Sequence, residues 1–362
     1  MKRTLIVIAL LAGLCSCGRD TPTAEPSGHP PQNTVSSPGS NLVPSDVDSK
    51  MLATKSRQVW DGTGLQLTQF ASRCREFESG IGRLLETTSE QALRNAQQQW
   101  RQLHGELRTL TIATSLAVSN PGLFSALAQR LSDIDEQPIA AGYLDSVAGY
   151  PNSGLVNDIT LDINRANMRQ QHGLTADNEA SLGLHPLEFI LFGETGQRDA
   201  GDFVRQTAST PEVASLNRPQ NRRRDYLALT AKLLCDDSEQ LAADWRDHHS
   251  AIAAPYFSLT AEARLQLWQH ALEAELQALS KPRSAHHCDF APHGCDILWR
   301  YRGLLTFIER AAPAVPTLAR EQHAPWQQAA SNLQQALNSG PRNRESLQHA
   351  ATELAQAISG QN

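Results

Sequence analysis

The stretch from Gly183 to Gly193 carries the residues whose types and spacing could do chemistry. It reads Gly-Leu-His-Pro-Leu-Glu-Phe-Ile-Leu-Phe-Gly, which sets an imidazole (His185) and a carboxylate (Glu188) three residues apart. On a helix, positions i and i+3 lie on one face, so both side chains could reach the same ion. Mixed nitrogen and oxygen ligands suit iron, zinc, manganese or copper better than calcium, which prefers oxygen alone. The pattern therefore indicates a transition-metal site.

The same spacing also has a purely structural interpretation. Pro186 favours the first helical position, which would make His185 the N-cap and Glu188 the third helical residue. Gly183 and Gly193 would then mark the start and the stop of the helix. Spacing alone favours this capping interpretation. The two interpretations are compatible, because a short, well-capped helix is a rigid platform for a ligand pair.

The pattern Gly-x-His-x-x-Glu, followed by an apolar run and Gly, resembles the imelysin-like proteins. The segment from Ile134 to Pro138 and the residues 224–245 are similar to two further stretches of that family, and Trp100 matches a frequent aromatic position. The resemblance covers roughly residues 50–355. It implies a two-domain helical protein that is exported to the periplasm and associated with iron uptake or iron-regulated expression.

With this resemblance, metal binding becomes the leading interpretation of His185 and Glu188, with iron the expected metal and zinc or copper the alternatives. The remaining ligands would come from opposing helices, where Asp135, Glu106 and His104 are the nearest candidates. The family was first described as peptidases, so a metallopeptidase is one alternative function. A binding or scaffold lipoprotein without a metal is another.

The sequence gives little support to an enzyme. A metallopeptidase typically needs three protein ligands, an open position for water and a separate general base. The sequence contains no His-Glu-x-x-His. One histidine beside one carboxylate does not supply both the ligands and the base, so peptidase activity is implied by the family name only.

The elements that must position these residues are predicted to be helices. Apolar residues recur at steps of three and four over 93–117, after a capping-box sequence at 88–91 and before Asn120-Pro121. A second stripe covers 265–279. Further helices are predicted at 59–86, 222–234, 238–249, 296–310, 326–338 and 345–359. The chain is therefore predicted to be all-α, with two helical bundle domains packed side by side, one at 48–210 with the motif and one at 211–362.

The N-terminal residues predict export and a lipid anchor. Lys2 and Arg3 precede about ten apolar residues, too few to span a bilayer, so 1–17 is predicted to be a signal peptide. Leu14-Cys15-Ser16-Cys17 resembles the bacterial lipoprotein box, with Cys17 the lipidated residue; cleavage without a lipid is the alternative. Gly18 follows Cys17, and by resemblance to the sorting rule of Gram-negative lipoproteins the absence of Asp at this position favours the outer membrane, with the protein facing the periplasm. Residues 18–47, with few large apolar side chains, are predicted to be a flexible linker.

Four further cysteines favour disulfides, because an exported protein meets an oxidising compartment. Cys288 and Cys295 flank a short loop that they could close, which leaves Cys74 and Cys235 for a long-range bridge. A zinc or copper site within 286–295 is the rival interpretation.

The net charge of the chain limits which partners are expected. The formal charge of −6 argues against nucleic acid and leaves the membrane, through the anchor, and an iron-transport component as expected partners. The run at 222–224 is three arginines, which favours a solvated helix start over a site for an anionic partner.

Overall fold

Helices account for nearly all regular structure in the parts of the chain that the computed structural model describes: 46–207, 218–280, 296–312, 314–315, 324–339 and 344–359. The long helices are α1 (Asp46–Glu86), α2 (Glu90–Thr109), α8 (Pro219–Arg246), α10 (Ala261–Ser280), α11 (Asp296–Ala311), α12 (Ala324–Asn338) and α13 (Arg344–Ser359). The shorter ones are α3 (Thr111–Ser119), α4 (Ser125–Asp135), α5 (Ala141–Leu144), α6 (Arg165–Gln171), α7 (Leu184–Phe192) and α9 (Ala254–Phe257), with a 3₁₀ turn at Ala200–Phe203. These ranges contain no strand, so the predicted all-α fold is confirmed.

Two helices are longer than predicted. α1 continues unbroken through Gly62 and Gly64, although a glycine in a helix interior costs stability. Both glycines serve close packing instead: a Cβ at Gly62 would lie 3.0 Å from the Arg310 side chain, and one at Gly64 would lie 3.0 Å from Trp245. Similarly, α8 runs as one helix through both segments predicted at 222–234 and 238–249.

One predicted helix is divided. The stripe over 93–117 forms α2 and α3, which are separated at Leu110, where ψ is 19°. The first of them begins after Ser89, whose hydroxyl accepts a hydrogen bond from the Ala92 backbone N–H. At the break, the backbone of Thr109 is so close to Gly303 of α11 that a Cβ there would collide with it. Apolar periodicity does not register this break, because α2 and α3 both keep an apolar face toward the core.

The most extensive helix–helix packing in the described part of the chain is between α1 and α8. Trp60 and Trp245 stack with ring centroids 3.9 Å apart, and each indole N–H donates to the backbone carbonyl of the other residue. Farther along the same pair, Cys74 and Cys235 form a disulfide, which confirms that predicted pairing. α7, which carries the Gly183–Gly193 motif, packs against α2, α4, α5 and α8. The motif therefore lies among four surrounding helices.

The described residues belong to one compact unit. In it, α8 packs along α1, α10 packs against α3, and α11 packs against α2, so helices from both sides of residue 210 are in contact. The domain boundary at 210 stays a prediction. The predicted signal peptide and nearly all of the linker, together with Cys288 and Cys295, lie outside the described residues. Among the described helices, none combines the length and the apolar character needed to cross a membrane.

Candidate metal centre

The short helix α7 is buried from Leu184 to Phe192. It begins after Gly183 and ends before Gly193, whose φ angles are 103° and 70°, so the two glycines do mark its start and stop. The capping interpretation of His185 is wrong, because Gly183 holds the N-cap position and no side chain caps the helix. Pro186 still lies in the first turn, where a missing N–H costs nothing. His185 is thus a helical residue.

His185 and Glu188 meet on one face of α7, as the spacing predicts. His185 Nδ1 lies 2.9 Å from Glu188 Oε2, and the two residues are only 8% and 9% exposed. The other carboxylate oxygen, Glu188 Oε1, is buried and has no hydrogen-bond partner among the described residues. A buried carboxylate oxygen without a donor is costly, so this atom is available to a cation.

Asp135 approaches His185 from the C-terminal end of α4. Its Oδ1 lies 3.3 Å from His185 Nε2, so the imidazole is held between two carboxylates. Arg108 of α2 pairs with both oxygens of Asp135, at 2.7 Å from Nη1 to Oδ2 and 2.8 Å from Nη2 to Oδ1. Two-pronged pairing of this kind fixes a carboxylate in position as well as in charge.

His104 completes the cluster from α2. Its ring stacks on Trp100 at 4.8 Å between centroids, and its Nε2 accepts a hydrogen bond of 3.1 Å from Arg108 Nε. Trp100 also donates from its indole nitrogen to the carbonyl of Leu184, which ties α2 to the start of α7. As a result, His104, Asp135 and His185 each present a ligand atom, and these atoms all lie within 4.8 Å of one another.

These contacts set the protonation states of His185, His104 and Asp135. Burial lowers the pKa of His185, but hydrogen bonds to Asp135 and Glu188 outweigh burial and raise that pKa to about 9. Burial and the positive charge of Arg108 lower the pKa of His104 to about 3. Burial raises the pKa of Asp135, but Arg108 and His185 together lower it to about 2. At neutral pH His104 is therefore a neutral imidazole, the form that ligates metals.

Glu106, the remaining candidate ligand, lies outside this cluster. Glu106 pairs with Arg73 of α1 at 2.9 Å and does not join the cluster. Spacing by itself also fails to select the site, because His270 and Glu273 of α10 repeat His-x-x-Glu where the histidine is exposed and the glutamate is only half-buried. Sequence reasoning missed Arg108. Its position one helical turn after His104 is the only local signal that could have pointed to it.

The chain matches the Imelysin family model over residues 66–287, more than half of its length and all of the cluster. This chain belongs to the imelysin family. The expectation drawn from Gly-x-His-x-x-Glu is thereby confirmed. None of the curated proteins matches the chain.

A solved structure supports the imelysin fold. A "putative iron-regulated protein A precursor" from Parabacteroides distasonis ATCC 8503 superposes with a TM-score of 0.51, covering 88% of this chain and 95% of that one. The two sequences are 13% identical, so the likeness concerns the fold alone.

The donor set fits a transition metal. Two imidazoles and one or two carboxylates match iron, zinc or copper better than calcium or magnesium, which prefer oxygen ligands only. Glu188 Oε1 adds a buried oxygen with no hydrogen-bond donor among the described residues. An ion held here would have to replace the proton of His185, because a ligating imidazole is neutral. The chemistry that this arrangement supports is reversible cation binding.

Proposed function

We propose that this imelysin-family protein binds iron in the cell envelope and takes part in iron uptake. One observation carries the proposal: ligand atoms of His104, Asp135 and His185 lie within 4.8 Å of one another, beside the His185–Glu188 pair of the family motif. The relative described as iron-regulated supports iron as the metal. Few protein ligands favour an ion that is exchanged over one that is stored.

The double variant His185→Ala/Glu188→Ala tests the site. Wild-type protein should be stabilised by Fe(II), kept anaerobic, by about 2.7 kcal/mol when free metal is at a hundred times Kd. The double variant should lose this stabilisation, because two of the ligands are gone, while Arg108 and Asp135 remain paired. Thermal unfolding followed by circular dichroism measures both the metal effect and the survival of the helices. A parallel series with Fe(III), Zn(II) and Cu(II) identifies the preferred ion.

A matched control is available on α10. His270→Ala/Glu273→Ala removes the same residue types at the same spacing from an exposed and a half-buried position away from the cluster, and should leave the metal response unchanged. Equal metal stabilisation in wild type and in the His185/Glu188 variant would rule this site out. Absence of any metal response in well-folded wild type would favour the binding or scaffold lipoprotein.

The metallopeptidase alternative is less well supported by the site. A hydrolase must bring a peptide bond to the metal and keep a general base free. His185, Glu188 and His104 are each less than 10% exposed, and Glu188 is bonded to His185. We therefore propose binding without hydrolysis. Chelator-sensitive cleavage of a protein substrate that disappears in His185→Ala would contradict this.

We also propose that Cys17 carries a lipid that anchors the protein to the outer membrane, facing the periplasm. The support is the lipoprotein-like sequence around this cysteine and the polar segment that follows it. Cys17→Ala should move the protein from the membrane fraction to the soluble periplasmic fraction. Unchanged fractionation would exclude the anchor.

A further inference from the structure

Arg108 lies among the atoms that could hold the metal. Its Nε is 3.1 Å from His104 Nε2, and its Nη2 is 2.8 Å from Asp135 Oδ1 and 3.4 Å from His185 Nε2. Each of the three clustered residues therefore has a ligand-type atom facing a guanidinium nitrogen. The Arg108 side chain is only 13% exposed.

Arg108 places a permanent cation among these ligand atoms. Acidic and imidazole groups gathered in a buried place need a positive partner. A guanidinium remains charged at every accessible pH, and its planar fork suits several acceptors at once. An incoming metal ion and Arg108 would use the same lone pairs of His104 and Asp135, so they cannot both be bound to them.

We propose that Arg108 is a built-in placeholder cation, which keeps the ligands arranged and must turn away when a metal ion binds. This inference rests on the proposed metal-binding function. Exchange of one cation for another leaves His104, Asp135 and His185 partnered in both states, so the site avoids an intermediate with exposed, unpaired charge. It also weakens net metal affinity, because the bonds to Arg108 must be broken first.

Glu188 Oε1 is the oxygen through which exchange could begin. It is buried in the same cluster and is not engaged by a hydrogen-bond donor among the described residues. A metal ion could contact this oxygen while Arg108 still holds Asp135. The Arg108 side chain has several rotatable bonds, so it can leave without any movement of α2.

The variant Arg108→Gln tests the placeholder. Titration of purified protein with Zn(II), and with Fe(II) under anaerobic conditions, should give a Kd at least about tenfold lower than that of wild type, since charge-assisted bonds no longer have to be broken. Arg94→Gln on α2 is the matched control: it removes the same charge from the same helix at an exposed i,i+4 pair with Glu90. That variant should bind like wild type.

The outcomes separate this inference from the proposed function. Binding by wild type with no gain in Arg108→Gln would overturn the placeholder and leave the metal site standing. Binding by Arg108→Gln alone would overturn metal binding by the natural protein and, with it, the exchange of Arg108 for a metal ion. Absence of binding in both would overturn both.

A structure of zinc-loaded wild type gives a second readout that does not depend on how well the variant folds. The guanidinium should have left His104 and Asp135, with zinc bound to those residues. A zinc-loaded structure in which Arg108 still holds both would contradict the placeholder.

Discussion

At the scale of the residue, two glycines set the geometry of the candidate metal centre. Gly183 adopts φ 103° and ψ −175°, and Gly193 adopts φ 70° and ψ −178°, a region that is essentially restricted to glycine. The surroundings of the two differ. A Cβ on Gly183 would lie 3.0 Å from the carbonyl oxygen of Ile134 and 3.1 Å from that of Asp133, whereas the nearest atom to one on Gly193 is 3.5 Å away.

Gly183→Ala should therefore damage the site as well as the stability. Each alanine variant should lose about 1–3 kcal/mol of unfolding free energy through backbone strain. Only the one at position 183 pushes against the end of α4, which presents Asp135 to His185, so only that one should weaken metal binding. Urea unfolding and metal titration of both variants check this. Equal metal affinity in the two would show that the close approach of Gly183 to α4 is not needed.

At the scale of the element, arginine side chains in the first turns of α8 bind backbone carbonyls of the irregular segments that precede this helix. Arg222 donates to the backbone carbonyls of Val156, Leu155 and Leu161, and Arg224 donates to that of Phe203. The residues 222–224 are each at most 7% exposed, so the interpretation as a solvated helix start is wrong. Buried carbonyls of irregular backbone need donors, and these arginines supply them.

Arg223, the residue between these two arginines, forms an ion pair with Asp145. This pair predicts that the stability of the protein depends on pH. Burial raises the pKa of Asp145, but hydrogen bonds and charge from Arg223, with help from Arg198, hold that pKa below its usual value. A carboxyl group with a depressed folded-state pKa stabilises the protein above its unfolded pKa of about 3.9, and this stabilisation is lost as the pH falls below that value. Wild type should therefore lose unfolding free energy steeply below about pH 4.

Asp145→Asn isolates the contribution of this pair. The variant should be less stable at neutral pH by about 3–5 kcal/mol, since Arg223 loses its buried partner. It should also lack the part of the acid dependence that comes from Asp145. Urea unfolding between pH 3 and 7 compares the slopes. Parallel curves for wild type and variant would mean that Asp145 does not titrate differently on folding.

At the scale of the whole molecule, the pairing of α1 with α8 joins parts of the chain that are far apart in sequence. The disulfide between Cys74 and Cys235 spans 161 residues, and Trp60 and Trp245 exchange hydrogen bonds across the same helix pair. A crosslink over a long loop acts mainly by restricting the unfolded chain. Stability should thus depend on the oxidised state of this one bridge.

Cys74→Ser/Cys235→Ser should lower the unfolding free energy by about 2–5 kcal/mol while the helical signal persists. Urea unfolding measures the loss, and wild type treated with a reductant should approach the variant. Because the packing around Trp60 and Trp245 remains, the metal response should survive. A variant as stable as wild type would show that the bridge adds nothing beyond that packing.

Sequence by itself determined the features that depend on local pattern: the all-α class from apolar periodicity, the His185–Glu188 pair from helical spacing, and the pairing of Cys74 with Cys235 from cysteine arithmetic. Tertiary structure decided which side chains from other helices meet that pair. His104 and Glu106 are two residues apart on α2, so they point to different faces, and only packing selects His104. The same holds for Arg108 and for residues 222–224, because their role depends on hydrogen-bond acceptors from distant segments of the chain. Helical periodicity of 3.6 residues shows which face of a helix is buried, but not what lies against that face.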